Sequence, residues 1–358
     1  MSELINQGGF GCIFYPGFNC KGENTKKLKN MATKLQVKDF NAENEIYIGS
    51  LIKKITNYNL FFLPVVSFCS IGIASLNKKF MEKCKIISKD DPNYLLLELP
   101  YLKHISFCKL FSDLFRTNKY LFITFIETFS YVVVSIENLL SINVVHYDLK
   151  EQNILYSIKY ENPILIDYGI SIPIDKLDNS NLAEYFYIYA PDYYLWPCEV
   201  HAINYLVNIN DTLTLDVIEK LMESYVSQNS AFNIFTDNFK EKYKRSGIDI
   251  LKKYINMEKY EAIKELKSSY KSWDLYALSI MYLKFFKILF ADGFFESKLI
   301  IVFSQLLLTN ISPNPKNRLS PKDTLARYKE IMFINEKPKN YFTLIHNLSY
   351  DNVKKICD

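Results

Sequence analysis

Histidine and cysteine are sparse and poorly arranged for metal chemistry. The seven cysteines (Cys12, Cys20, Cys69, Cys84, Cys108, Cys198 and Cys357) are scattered and include no C-x-x-C pair. None of the four histidines pairs with a cysteine at zinc-ligand spacing. A zinc module is therefore excluded, and the thiols are expected to be reduced in a cytosolic compartment. Excess charge of one sign is also lacking. The net charge of +4 is too mild for a nucleic-acid stripe or an anionic membrane patch, and Lys26, Lys27 and Lys29 read as solvated loop charge. Long uninterrupted apolar runs are missing. The longest, residues 120–145, carries Glu127, Glu137 and Asn138, so a buried core helix is expected and no membrane span. Residues 299–308 are too few to cross a bilayer. Residues 1–10 have neither a basic nor an apolar leader region, so no signal peptide is expected. Glycine is scarce while Asn, Ile, Lys and Tyr abound, which fits an AT-rich coding genome and says nothing of chemistry.

What is present is apolar side chain. At 358 residues, 49% hydrophobic and 23% charged, the chain can fill one large bilobal domain or two modest ones without a signature of disorder. Residues 1–100 read as short strands (4–13, 29–35, 64–68, 94–99) with one helix over 39–55, where Glu45, Ile48, Ile52 and Ile55 share a face. From residue 101 the pattern turns helical. A long helix covers 119–140, short strands fall at 153–156 and 163–166, and helices lie near 213–228, 248–268, 273–290 and 296–309. The expected class is α+β, a small β-rich lobe over 1–100 and a larger α-helical lobe over 101–330, followed by a tail, 331–358, without signal.

The sharpest motif is V-V-H-Y-D-L-K-E-Q-N over residues 144–153, followed by I-L-I-D-Y-G over 164–169. Asn153 lies five and Asp167 nineteen residues after Asp148. Upstream stand I-N-Q-G-G-F-G-C-I (5–13), M-A-T-K (31–34) and Y-L-L-L-E-L-P (94–100). Downstream stand A-P-D (190–192), W-D-L-Y-A-L (273–278) and N-P-K-N-R (314–318). Singly these are weak: H-x-D occurs by chance, glycine-bearing hairpins are common, and a strand lysine is ordinarily surface. In this order they resemble the eukaryotic protein kinase family, whose marks are G-x-G-x-x-G, V-A-I-K, H-R-D-L-K-x-x-N, D-F-G and A-P-E. The resemblance covers about residues 4–330 and implies a bilobal kinase-like fold. The G-G-F-G-C-I start and P-D-Y-Y-x-W-P-x-E-V-H at 191–201 are similar to divergent kinases of large DNA viruses.

The roles follow from what phosphoryl transfer needs, which is positioning and neutralisation of dense negative charge. By resemblance, Asp148 orients or accepts the acceptor proton, Lys150 stabilises the γ-phosphoryl group, and Asn153 and Asp167 hold Mg²⁺. Gly169 would let the backbone turn behind Asp167. ATP would be held by Asn6, Gly8, Gly9, Phe10, Gly11 and Ile13 of the Gly-rich turn and by Lys34, whose ion-pair partner is Glu45. Glu43 is the alternative partner, disfavoured because Ile48 and Ile52 continue the face of Glu45. Backbone groups around Glu98 to Pro100 would bond adenine, unless that run is an ordinary core strand. Asp274 would accept hydrogen bonds from the backbone of the 144–153 loop, and Arg318 would pair with Asp192.

Three departures stand out. Tyr147 replaces the Arg of H-R-D, which normally answers an activation-loop phosphate, so activity without that phosphate is expected. Asn6 replaces the first glycine, and Asp192 the Glu of A-P-E. Residues 200–268 form a helical insertion, read either as a docking or regulatory site for a partner or as an elaborated helical surface. The resemblance implies ATP and Mg²⁺ as cofactors, with Mn²⁺ as alternative, and Ser/Thr of proteins as acceptors because Lys150 follows Asp148 by two. The other readings are a nucleotide-binding pseudokinase scaffold and a small-molecule kinase. A monomer is the default, no specific nucleic-acid partner is expected, and the location is cytoplasmic (host cytoplasm or virion, if viral).

Overall fold

The computed structural model describes residues 2–8, 11–19, 30–72, 83–87, 93–110, 121–291 and 298–333. It is a mixed α+β chain that divides into two units, Met1–Ile105 with Leu155–Ser171, and Ser106–Ile154 with Ile172–Asp358.

The β-rich stretch folds as one antiparallel sheet of five strands: β1 (Glu3–Gly8), β2 (Gly11–Tyr15), β3 (Met31–Val37), β4 (Ser67–Ile71) and β5 (Tyr94–Pro100), in the order β1-β2-β3-β5-β4. Period-two alternation sorts β5 between two cores. Tyr94 and Leu96 join Cys12, Phe14, Phe18, Leu35 and Ile71, while Leu95 and Leu97 join Ala42 and Val65. Helix α1 (Phe40–Ile52) supplies Ala42 to that second cluster. It begins where Asp39, in extended conformation, accepts the Ala42 amide at 2.9 Å, which satisfies one of the orphan donors of the first turn.

The segment carrying Asp167 belongs to this first unit, not to the helical one as the 101–330 boundary implies. Its strands Ile154–Ser157 and Asn162–Leu165 share a sheet with His104–Ser106. Leu165 bridges Phe62 in parallel, and the Asn162 amide donates to the Leu60 carbonyl at 2.7 Å.

The reduced-thiol expectation is overturned within the same unit. Cys12 and Cys84 form a disulfide across a sequence separation of 72, and Cys69 is disulfide-bonded as well. Spacing rules see only near neighbours, whereas Cys12 and Cys84 meet because both enter one apolar cluster. The cytoplasmic expectation loses the support it drew from reduced cysteines. Among the described residues Cys108 and Cys198 are not in disulfides.

In the second unit, helices follow one another: α2 (Leu121–Ser141), α3 (Cys198–Asn208), α4 (Leu215–Gln228), α5 (Asp237–Leu251), α6 (Lys259–Lys267), α7 (Trp273–Ala291), α8 (Lys298–Asn310) and α9 (Pro321–Phe333). Helix α7 is buried over nearly all of residues 273–286, so it is apolar all round and forms the axis of the core. Helix α2 packs beside it: Thr128 and Tyr282 share a hydrogen bond of 2.8 Å, and Phe129 meets the Tyr282 ring edge-on at 5.1 Å. No helix among the described residues is long and apolar enough to cross a membrane.

The stretch 200–268 is not a surface appendage. Tyr225 of α4 and Tyr243 of α5 send their hydroxyls inward to that of Tyr276 on α7; Tyr243 approaches to 2.7 Å and also donates to the Ile311 carbonyl at 2.9 Å. Phe232 packs edge-on against Tyr243 at 4.7 Å and is fully buried. Buried phenols ordinarily find such partners. The expected helix over 248–268 is interrupted: α5 ends at Leu251, and Asn256 takes a left-handed φ of 58° before α6 begins.

Candidate functional site

The first unit assembles a charged triad. β3 carries Lys34, which is 5% exposed and placed opposite Leu97 of β5. Its Nζ meets Glu45 Oε2 of α1 at 2.6 Å and Asp167 Oδ1 at 2.9 Å. Glu43 is exposed on the other side of the helix. Burial alone would lower the Lys34 pKa, but the charges of Glu45 and then Asp167 outweigh it and raise it, so the ammonium persists. One cation between two carboxylates leaves the cluster with a negative excess, a setting that suits a further cation.

Gly11 gives this lysine close room. A Cβ at Gly11 would stand 3.1 Å from the Lys34 stem and from the Leu35 carbonyl, so any side chain would press on both. Ile13 pairs with Lys34 across β2–β3, and Gly8 pairs with Gly11. The Asn6 side chain accepts its neighbour Gln7's amide at 2.8 Å, a local contact in place of the first glycine of the motif. Gly9 and Phe10 lie outside the described residues.

Asp167 itself adopts the left-handed region, φ 67°. Gly169 does not, and a Cβ there would meet only ordinary contacts from 3.5 Å. The expected turn at Gly169 is therefore made at the aspartate, a strained conformation for a non-glycine residue and one typical of functional sites. Asn44 of α1 secures the backbone beyond it, donating to the carbonyls of Gly169 and Ser171 at 2.9 and 2.8 Å. Glu98 is engaged inside the sheet: its carbonyl accepts the Val66 amide at 2.8 Å and its carboxylate the Ser67 hydroxyl. Pro100 closes β5, paired with Met31.

The second unit assembles a carboxylate with a ring of donors. Lys150 Nζ reaches both oxygens of Asp148, at 3.0 and 2.8 Å. The Asn153 amide donates to the Asp148 carbonyl at 2.8 Å and to Oδ2 at 2.9 Å, leaving its own oxygen to face elsewhere. Tyr193 donates its hydroxyl to Oδ1 at 3.1 Å. Beside Lys150, the 8%-exposed Glu151 is paired with Lys284 of α7 at 3.2 Å.

The loop is held from below. The buried Asp274 carboxylate accepts the His146 and Tyr147 amides at 2.7 and 2.9 Å. Tyr147 is left-handed, φ 68°, and lies inside the unit. Its ring stacks on Trp196 at 4.6 Å, its carbonyl accepts the Trp196 indole N–H at 2.7 Å, and its hydroxyl accepts from Asn204 at 3.2 Å.

One expected pair is corrected. Arg318 does not meet Asp192, which is exposed. It forms a bidentate pair with Glu199 of α3, at 2.5 and 3.0 Å, with both side chains buried. The Arg318 guanidinium also lies over the Tyr276 ring, 4.8 Å from its centroid. The shorter Asp192 sits ahead of the W-P-C-E turn on the chain's outer side, whereas Glu199 enters the first turn of α3 pointing inward.

Among the described residues no group of three or more His, Cys, Asp or Glu could hold a metal ion by itself. Asp167 in the first unit, 34% exposed at its side chain, and the Asn153 amide oxygen in the second each offer a hard oxygen of the type Mg²⁺ accepts. No protein-family model and no curated protein matches the chain. Asn44 stands in no motif, and Tyr193, Trp196 and Glu199 stand in the 191–201 run without an expected role. The signal for Glu199 was present in W-P-C-E, a Pro-initiated helix start seven residues after A-P-D.

Proposed function

We propose that this chain is a phosphotransferase that uses ATP. The carrying observation is the buried Lys34 with Glu45 and Asp167, beside a glycine whose Cβ would crowd the lysine stem. A permanent cation at that point suits phosphate oxygens, and the ordered motifs of the sequence agree with it. Within that class the activity we infer is that of a protein kinase acting on Ser and Thr hydroxyls, similar to the divergent kinases of large DNA viruses.

In this reading Lys34 holds the α- and β-phosphates while Glu45 keeps it in place. Asp167 and Asn153 would hold Mg²⁺, which would supply neutralisation of the phosphate charge. Asp148 orients the acceptor hydroxyl and takes its proton. The acceptor oxygen bonds to the γ-phosphorus as the bond to the β–γ bridging oxygen breaks, and ADP leaves. Lys150 turns its charge to the transferring group.

The test is transfer from radiolabelled ATP with Mg²⁺ to a protein mixture, for wild type beside Asp148→Asn and Asp167→Asn. Label on Ser or Thr, lost in both variants, supports the reading. ATP-dependent thermal stabilisation without transfer would make the chain a nucleotide-binding scaffold. Label on small alcohols alone would make it a small-molecule kinase.

A further inference from the structure

Asp148 carries more donors than an orienting base can keep. Lys150 contacts both oxygens, Asn153 takes Oδ2 and Tyr193 takes Oδ1. Two carboxylate oxygens offer about four lone-pair sites, so no place is left for an acceptor hydroxyl. Resting on the phosphotransfer reading, Lys150 turns to the γ-phosphoryl group and releases both oxygens, which opens one site on Oδ2, while Asn153 keeps its N–H on Oδ2 and would offer its own amide oxygen to the cation. Tyr193 has no such second duty. We propose that the Tyr193 hydroxyl is the positioning group of the reaction, the donor that stays on Oδ1 and fixes the plane of the Asp148 carboxylate while Oδ2 receives the acceptor.

The surroundings of Tyr193 suit that duty. Its ring packs edge-on against Trp196 at 4.8 Å, and Trp196 is tied to the Tyr147 carbonyl and stacked on the Tyr147 ring. The hydroxyl is thus mounted on an aromatic bracket anchored in the same loop that presents Asp148. Its amide donates to the Ala190 carbonyl at 2.9 Å, which closes the turn beneath it. Burial and then the Asp148 charge push its pKa far up, so it serves as a donor and never as a competing base. Phenol length matters here: a Ser or Thr at this position would fall short of the carboxylate.

The experiment compares wild type, Tyr193→Phe, Asp148→Asn and the double variant of the full chain, with radiolabelled ATP and a protein acceptor. Tyr193→Phe keeps the ring and its packing, so its thermal midpoint should match wild type. The expected result is a fall in kcat of about tenfold, a fraction of what a general base contributes. KM for ATP and for the acceptor should each stay within about twofold, since the lost bond acts on the transition state alone. In the Asp148→Asn background the same change should cost nothing further, as for residues that act as a unit. An unchanged kcat in Tyr193→Phe, or an equal loss in the Asp148→Asn background, overturns the proposal while leaving the kinase reading intact. Wild type without transfer overturns both.

Discussion

Replacing Glu199 with Gln should unfold this protein far more readily than replacing Asp192 with Asn. Gln keeps the shape of Glu and one acceptor oxygen but removes the charge. Arg318 would then be a guanidinium with a side-chain exposure of 1%, left with the Ser312 carbonyl at 2.7 Å, the Ser272 hydroxyl at 3.1 Å and the face of Tyr276. These partners are neutral and do not offset the desolvation of a full charge. Breaking a buried pair from one side costs about 3–5 kcal/mol. In a chain of this size that is a fall in thermal midpoint of about 4–7 °C. Asp192 is exposed and lacks the arginine, so Asp192→Asn should stay within about 0.5 kcal/mol of wild type. Equilibrium urea unfolding followed by circular dichroism gives both numbers. The double variant Glu199→Met/Arg318→Met should recover most of the loss, because removing both charges removes the uncompensated one. Equal effects at positions 192 and 199, or a larger one at 192, would refute the assignment of the pair.

Three further outcomes are expected. His201 is fully buried and its ring nitrogens find no hydrogen bond of good geometry; burial holds its pKa down at about 4. Below the ordinary value of 6.5 the unfolded chain takes up a proton that the folded chain refuses, so stability should fall from pH 6.5 to about 4, by up to about 3 kcal/mol. His201→Leu should flatten that slope in urea titrations at successive pH values, and an unchanged slope would place the acid sensitivity elsewhere. Lys34→Met should abolish ATP-dependent thermal stabilisation and lower transfer by about a hundredfold, as the removal of a charge-stabilising donor does; retained stabilisation would mean that ATP does not use this lysine. Phosphatase treatment should leave transfer unaffected, because Tyr147 and Trp196 hold by stacking the segment that an arginine and a phosphate would otherwise hold; loss of activity would show a phosphate requirement that the stack does not replace.

Much of the charged chemistry was legible because it is written locally. Asp148, Lys150 and Asn153 lie within six residues, and the face shared by Glu45, Ile48 and Ile52 singled out Glu45 over Glu43 by helical period alone. Illegible features depend on contacts between distant segments. Cys12 and Cys84 are joined by a shared core, not a spacing, and Tyr193 reaches Asp148 through a turn whose course no propensity specifies. Helix α5 was missed because D-N-F-K-E-K-Y-K-R-S-G presents few apolar residues, yet Tyr243, Gly247 and Leu251 suffice to bury one face. The motif letters also misled where position outweighed pattern: A-P-D drew attention to Asp192, while the arginine answers the glutamate seven residues later.

The hydroxyl contacts among Tyr225, Tyr243 and Tyr276 bear on how this chain could be shortened or recombined. Each phenol completes another, so deleting either α4 or α5 strands a polar group in the middle of α7's apolar surroundings. Loops that merely decorate a fold can be trimmed or grafted one at a time. Residues 200–268 cannot: a minimised version would need all three tyrosines exchanged together for apolar residues of matching volume, which makes this region heritable as a block.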